Sequence, residues 1–179
     1  MIIDVINENQ LAIVESLARE IWTEYYTPFI GSDQVNYMLD KFQSRAAIAY
    51  QIKSEGYLFY LIEDDGNYIG YLGVKPNGQE LFLSKLYVHS SRRGQKFGKK
   101  AIRFLERLAL KLNLNKVSLT VNKKNTSAIM AYKKLGFKNL GSSVVDIGNG
   151  FIMDDFKMEK YITFISNRGF GVHRAGNVR

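Results

Sequence analysis

Residues 86–103 read LYVHSSRRGQKFGKKAIR, and this stretch decides the fold. Leu86-Tyr87-Val88 ends an apolar run that reads as a strand over Glu80–Val88. A glycine-bearing loop follows. From Gly98 the chain turns helical, with Ile102, Leu105, Ala109 and Leu112 on one face of a helix expected over Gly98–Leu112. Six basic residues, Arg92, Arg93, Lys96, Lys99, Lys100 and Arg103, lie in this segment with no acid among them. A helix N-terminus carries a partial positive charge and favours acids in its first turn, so Lys99 and Lys100 there break the local rule. An anion seated on the free N–H groups of the loop and helix start relieves the repulsion, and Gly94 and Gly98 let backbone approach it closely. Charge alone is equally compatible with a solvated basic helix end. The strand–loop–helix setting favours the anion site. Neither G-x-x-x-x-G-K-[ST] nor G-x-G-x-x-G is present, which excludes the Walker A and dinucleotide loops.

Outward from this segment the pattern is mixed. Ile2–Ile6 reads as a strand, and Leu11, Val14, Leu17, Ala18 and Ile21 recur at helical spacing. Val35, Met38, Leu39 and Phe42 mark a second helix with Ser32 or Asp33 as cap. A third runs from Arg45 to Ser54 and stops before Gly56. Tyr57–Glu63 and Tyr68–Val74 form a hairpin around Asp65-Gly66. After the basic helix come a strand (Lys116–Val121), a helix (Asn125–Leu135) and two strands (Phe137–Val145 and Gly150–Lys160). The order is β, three helices, three strands, then α, β, α, β, β, an α/β pattern built on one sheet.

The chain has 179 residues, 46% hydrophobic and 23% charged, as expected of one domain. It has no cysteine, which excludes disulfides, Cys-based zinc sites and a thiol nucleophile. No metal is implied. The start, MIIDVINENQ, lacks the basic and apolar regions of a secretory signal, and no stretch approaches the roughly 20 apolar residues of a membrane span. The expected location is cytoplasmic, with no membrane association. The formal charge is +8, which suits nucleic acid, an anionic surface or an anionic cofactor. The basic residues gather at one helix start instead of along a wide face with exposed aromatics, which argues against nucleic acid. Arg168, Arg174 and Arg179 lie in an acid-free stretch. The expected division is a domain over 1–161 and a basic, flexible tail over 162–179.

In the later helix Asn125, Ala128 and Tyr132 are three and four residues apart and share a face. On its own Tyr132 reads as a core aromatic whose hydroxyl reaches the surface. Together the two segments resemble the GNAT superfamily of N-acetyltransferases. Arg93-Gly94-Gln95-Lys96-Phe97-Gly98 is similar to its acetyl-CoA signature, Q/R-x-x-G-x-G/A. Asn125, Ala128, Tyr132 and Gly136-Phe137 are similar to its second motif, in the right order and at the usual separation. The resemblance covers roughly Ile2 to Lys160. Lys96 departs from it, standing where the signature has Gly. A looser resemblance, to small bacterial PaiA-type polyamine acetyltransferases, rests on Trp22–Tyr26, Tyr37-Met38-Leu39, Leu83–Val88 and Met153-Asp154-Asp155.

The resemblance implies a GNAT fold, a single mixed, mostly antiparallel sheet flanked by helices, and acetyl-CoA as co-substrate. By it, Leu86, Tyr87 and Val88 would pair with the pantetheine arm, and their backbone N–H groups would meet a developing oxyanion. Arg93, Gly94, Gln95, Lys96, Phe97, Gly98 and Lys99 would hold the pyrophosphate, and Asn125 and Ala128 the cofactor's arm. Tyr132 matches the acid that protonates the leaving thiolate. An alkylamine has a pKa of about 10, so a base is needed, and Glu80 is the candidate. His89 could shuttle a proton, although a loop histidine is commonly solvated. Glu24, with Asp154 and Asp155, could bind a cationic substrate. Tyr25, Tyr26 and Tyr37 would wall an acceptor channel. A polyamine or other small amine, a peptide or protein amine, and a non-enzymatic acyl-CoA module all stay open, as do monomer and homodimer.

Overall fold

In the computed structural model, which describes residues 1–162, the elements run β1 (Ile2–Asp4), α1 (Glu8–Ile30), α2 (Ser32–Met38), α3 (Arg45–Glu55), β2 (Leu58–Asp64), β3 (Asn67–Asn77), β4 (Glu80–Val88), α4 (Phe97–Lys111), β5 (Lys116–Asn122), α5 (Thr126–Lys134), β6 (Lys138–Gly148) and β7 (Phe151–Tyr161). The order is the expected one. Residues 163–179 of the expected tail lie outside the described residues.

Local chemistry sets the boundaries. Asn7 caps α1 by accepting from the Gln10 N–H at 2.9 Å, and Ser44 caps α3 through the Ala47 N–H at 3.3 Å. Gly56 ends α3 in the left-handed region at φ 75°. Asp65 and Gly66 both have positive φ (49° and 77°), as a two-residue hairpin turn requires. Four expectations are corrected. The first helix, read over Leu11–Ile21, continues through the Trp22–Tyr26 run to Ile30. The cap of α2 is Gly31, without a side-chain bond, instead of Ser32 or Asp33. Past Met38 the chain widens into a π-helical turn at Leu39–Gln43. Leu112, assigned to the buried face of α4, is exposed beyond the helix end.

The seven strands form one sheet in the order β1-β2-β3-β4-β5-β7-β6. Every neighbouring pair is antiparallel except β4 and β5, which run parallel. Each face has its own core. Against α4 and α5 lie residues such as Leu72, Leu81, Leu83, Ile102, Leu105, Leu119 and Met158. Against α1, α2 and α3 lie residues such as Ile21, Trp22, Leu39, Ile48, Leu61 and Tyr71.

Two irregularities in β4 position the site. First, the register with β3 slips by one residue: Val74 pairs with Leu83 but Gly73 with Lys85, leaving Ser84 as a bulge. The extra residue inverts the strand. Leu81 and Leu83 before it, and Leu86 and Val88 after it, all join the α4/α5 core, while Tyr87 turns to the α1 side. Second, β4 pairs with β5 only from Glu80 to Leu83. From Ser84 to Val88 its outer edge has no strand beside it.

The bulge also buries Lys85, which is 5% exposed. Its ammonium donates to Gln51 Oε1 (2.9 Å) and Ser84 Oγ (3.3 Å) and lies 5.1 Å from the ring centres of both Tyr57 and Phe59. Gly73 makes the room, since a Cβ there would meet the Phe59 ring at 3.1 Å and Lys85 Cδ at 3.3 Å. Burial lowers the Lys85 pKa from 10.5 to about 8, with Glu55 opposing the shift. Between those values the unfolded chain holds a proton that the folded chain has released. This group's contribution to stability therefore rises as pH increases through the window, and the burial cost is full below it. Denaturant unfolding at pH 8 and pH 9.5 should show this rise in the wild-type protein. It should be absent in Lys85→Met, whose stability at pH 8 should match or exceed the wild type.

Candidate active site

Where β5 leaves β4 the sheet opens, and two cavities meet there. One, of about 460 Å³, is lined by Tyr25, Tyr26, Gln34 and Met38 from the α1/α2 side, Ser84 and Leu86–Val88 from β4, Thr120–Asn122 from β5, and Met153 and Asp155 from β7. The other, of about 750 Å³, lies against α4 and is lined by Arg92, Arg93, Lys96, Phe97, Gly98 and Lys99. Leu86, Val88, Arg93, Gly94, Ala128, Ala131 and Tyr132 border both. The His89 N–H donates to the Ile69 carbonyl of β3 at 2.8 Å. Backbone groups alternate in direction along a strand, so Leu86 and Val88 present theirs to the opening, while Tyr87 faces β3. The Val88 carbonyl is engaged there by Arg93 Nε at 3.1 Å.

The second cavity is built for an anion. Lys96 is the N-cap of α4 and offers no side-chain cap bond, so the first amides of the helix stay free for a ligand. No acid lies in the first turn. Arg92 is tied to Asp64 at 3.2 Å, and the Arg93 guanidinium stacks 4.5 Å from the Tyr25 ring centre. Lys96, Lys99, Lys100 and Arg103 make no ion pair among the described residues. The lysine in the glycine position of the signature keeps the glycine conformation, with φ 67° and ψ 12°. Its side chain is exposed, so it adds charge without entering the backbone's cradle.

The first cavity is aromatic. Asn125 caps α5 by accepting from the Ala128 N–H at 3.1 Å, and the same oxygen accepts from the Tyr25 hydroxyl at 2.8 Å. This bond joins α1 to α5 across the opening. The Tyr26 hydroxyl reaches the Tyr87 and Asn125 side chains, and burial pushes its pKa up to about 12. Burial likewise raises Tyr132, Tyr71 and Tyr87 well above the ordinary phenol value. All four phenols therefore hold their protons at neutral pH. Asp155 is the one carboxylate lining this cavity. It is 5% exposed, and burial raises its pKa, opposed by a hydrogen bond from Thr120.

The structure thus brings together Tyr132, Tyr25, Tyr26, Leu86, Tyr87, Val88, Arg93, Gly94, Asn125 and Ala128 around the opening, with Lys96, Phe97, Gly98 and Lys99 along the basic cavity. It does not bring Glu80 there. Glu80 opens β4 beside Lys116, at 3.6 Å, at the end where the strands are still paired. Tyr37 donates to the Ile147 carbonyl at 2.7 Å and braces the β6–β7 turn. Glu24 is exposed on α1 and lines neither cavity. The Gln95 amide turns back to the Ser91 carbonyl at 3.2 Å. His89 is held between Glu20 and Ser91, each at 2.8 Å. Thr120 and Gln34 line the first cavity without having been singled out from the sequence. The available signal was Thr120 and Asn122 alternating with Val117, Leu119 and Val121, which puts polar groups on one face of β5.

The sequence matches the model of the Acetyltransferase (GNAT) family over residues 15–137. The chain belongs to the GNAT family. It is an acyltransferase, and acetyl-CoA is the co-substrate of this family. Solved GNAT structures share the fold. PaiA N-acetyltransferase from Thermoplasma acidophilum, in complex with coenzyme A, is 23% identical with a TM-score of 0.73, covering 90% of this chain and 99% of its own. A GCN5-related N-acetyltransferase from Rhodopseudomonas palustris is 19% identical with a TM-score of 0.74, covering 90% and 94%. A chimera of spermidine N-acetyltransferase SpeG from Vibrio cholerae and hSSAT is 19% identical with a TM-score of 0.63, covering 90% and 95%. No curated protein sequence matches. No helix among the described residues is long and apolar enough to cross a membrane.

In this GNAT chain the left-handed Lys96 carries backbone strain that glycine would not. Lys96→Gly should raise stability by up to about 1 kcal/mol, read as a higher denaturation midpoint. Lys96→Ala, which keeps the Cβ, should bring no such gain.

Proposed function

We propose that the protein transfers the acetyl group of acetyl-CoA to a primary amine of a small cationic molecule, such as a polyamine, by direct attack of the amine. One observation carries this reading: two cavities of opposite character, one basic at a helix N-terminus and one aromatic with a buried carboxylate, meet at Tyr132 where β4 and β5 part. The PaiA neighbour with coenzyme A and the spermidine N-acetyltransferase neighbour agree with it.

The residues fit the donor. Free first-turn amides of α4, with Lys96 and Lys99, would hold the pyrophosphate. Leu86 and Val88 would offer backbone groups to the amides of the pantetheine arm, as an added strand would. The bound co-substrate supplies an activated thioester. Tyr132, protonated and at the shared border, can give its proton to the departing sulfur and take back the one the new amide nitrogen sheds. The phenol therefore ends each cycle as it began. A cavity of about 460 Å³ walled by Tyr25, Tyr26 and Met153 suits a small amine.

Release of free CoA from acetyl-CoA in the presence of an amine panel tests the activity, and silence across polyamines, monoamines and peptides would refute it. Tyr132→Phe should leave acetyl-CoA affinity unchanged and lower kcat by about 10²–10⁴-fold. Because burial raises the phenol's pKa, its ionisation should cause no loss of wild-type rate below about pH 10. Gly98→Glu adds a side chain into open space, with no atom within 4 Å of its Cβ, so the fold should survive. Its charge should weaken acetyl-CoA binding at least tenfold by calorimetry, roughly the 1.4 kcal/mol such a change represents.

A further inference from the structure

An alkylammonium must lose a proton before its nitrogen can attack, and the residue first considered for that task, Glu80, sits at the wrong end of β4. We propose that Asp155 accepts this proton, and that its carboxylate is the group against which the reacting ammonium docks. The inference rests on the acetyl-transfer reading above and adds the residue that activates the acceptor.

Position is the first argument. Asp155 pairs with Asn122 in the last step of the β5–β7 ladder, at the end where β5 has already left β4. On β7, Phe156 and Met158 belong to the α4/α5 core, so Asp155 and Met153 face the opposite side, toward α1 and α2. On β5, Val117, Leu119 and Val121 belong to the α4/α5 core, which puts Thr120 beside Asp155. The carboxylate thus lies on the acceptor side of the opening, with Tyr26 and Gln34 among the other lining groups.

Its surroundings are the second. Asp155 is 5% exposed, and a buried carboxylate calls for a compensating partner. Within the protein it has the Thr120 hydroxyl and no cation in salt-bridge contact among the described residues. The nearby charges are Lys123, which bonds Asp154 instead, Asp154 itself, and Lys157, which follows on the same face of β7 opposite Thr120 without an ion pair to Asp155 among the described residues. From α1 the facing titratable group is Tyr26, protonated at neutral pH. From β5 the neighbours are Thr120 and Asn122, and from β6 Ser143. The compensating cation is therefore left for a ligand to supply. Burial raises the carboxyl's pKa, which makes it a better base toward an ammonium.

The step balances. The acceptor R–NH₃⁺ gives one proton to Asp155, which becomes a neutral acid, and the freed lone pair forms the N–C bond as the C–S bond breaks. The second proton leaves nitrogen through Tyr132 to the sulfur. Asp155 then releases its proton to solvent.

The test compares Asp155→Asn with wild type, using 1,4-diaminobutane and spermidine as acceptors from pH 6 to pH 10. Wild-type turnover of either amine tests acetyl transfer itself, and unchanged acetyl-CoA affinity shows the variant folded. If Asp155 is the base, the variant's kcat/KM at pH 7 falls by about 10²–10⁴-fold. It then climbs tenfold per pH unit toward the amine's own pKa, and the deficit nearly closes by pH 10. The wild-type profile should be flatter than the variant's over the same range, because its base takes the proton that the variant must leave to solvent. A deficit constant across the range, or one in KM alone with kcat untouched, would overturn the proposal. One further readout does not depend on turnover. The Asp155 carboxyl, followed by ¹³C resonance with CoA bound, should titrate lower when 1,4-diaminobutane is added. No movement on amine binding would equally overturn it.

Discussion

Four residues of parallel pairing, Glu80–Leu83 against Lys116–Leu119, hold the two halves of the sheet together, and the site exists because that pairing stops. Buried backbone donors and acceptors are costly to leave unmatched. Elsewhere the ladders satisfy them, but beyond Leu83 the outer edge of β4 has no strand beside it, and its Val88 carbonyl is met by the Arg93 side chain. The opening is therefore a strand-shaped vacancy with hydrogen-bonding capacity along one wall. A ligand with amide groups along its length recovers part of the energy that closing the sheet would have released.

The Ser84 bulge sits at the mouth of this vacancy, and its effect is larger than one residue. By inverting the alternation, it keeps apolar side chains on the α4/α5 face both before and after the shift. It also sends Lys85 and Tyr87 into the opposite face. Tyr87 there joins Trp22, Tyr26 and Tyr71, with ring centres 5.3–6.2 Å apart. Burial raises the pKa values of these phenols, so the α1 side of the opening is a wall of proton-bearing hydroxyls around one carboxylate. Tyr25 ties this wall to the other half through Asn125. Hydrogen bonds from Tyr25 to Asn125 and Ser127 thus join α1 to α5 across the open part of the sheet.

Much of this was legible in the residues. The element order, the hairpin at Asp65-Gly66 and the basic helix start depend on local propensity and periodicity, which sequence carries directly. The glycine-to-lysine departure at Lys96 was also readable, and the structure shows why it is tolerated: the side chain points to solvent while the backbone stays left-handed. Other features were not legible because they depend on register. Nothing local to Glu80 says that it pairs with Lys116 far from the opening, nor that Tyr37 spends its hydroxyl on the Ile147 carbonyl. Asp155 and Asp154 are adjacent acids in the chain. Only the β5–β7 pairing shows that one faces the cavity and the other meets Lys123.

The first cavity lies mainly toward α1 and the second against α4, and they share a border at Leu86 and Val88 of β4, the Arg93-Gly94 loop and the Tyr132 face of α5. On the proposed assignment the sheet is a partition with a single window, and each reactant has its own entrance. The nucleotide-bearing donor never has to clear the acceptor's path, nor the acceptor the donor's. On that assignment the acyl group crosses the window while both carriers stay on their own sides. On the proposed direct attack, both carriers must be present at once.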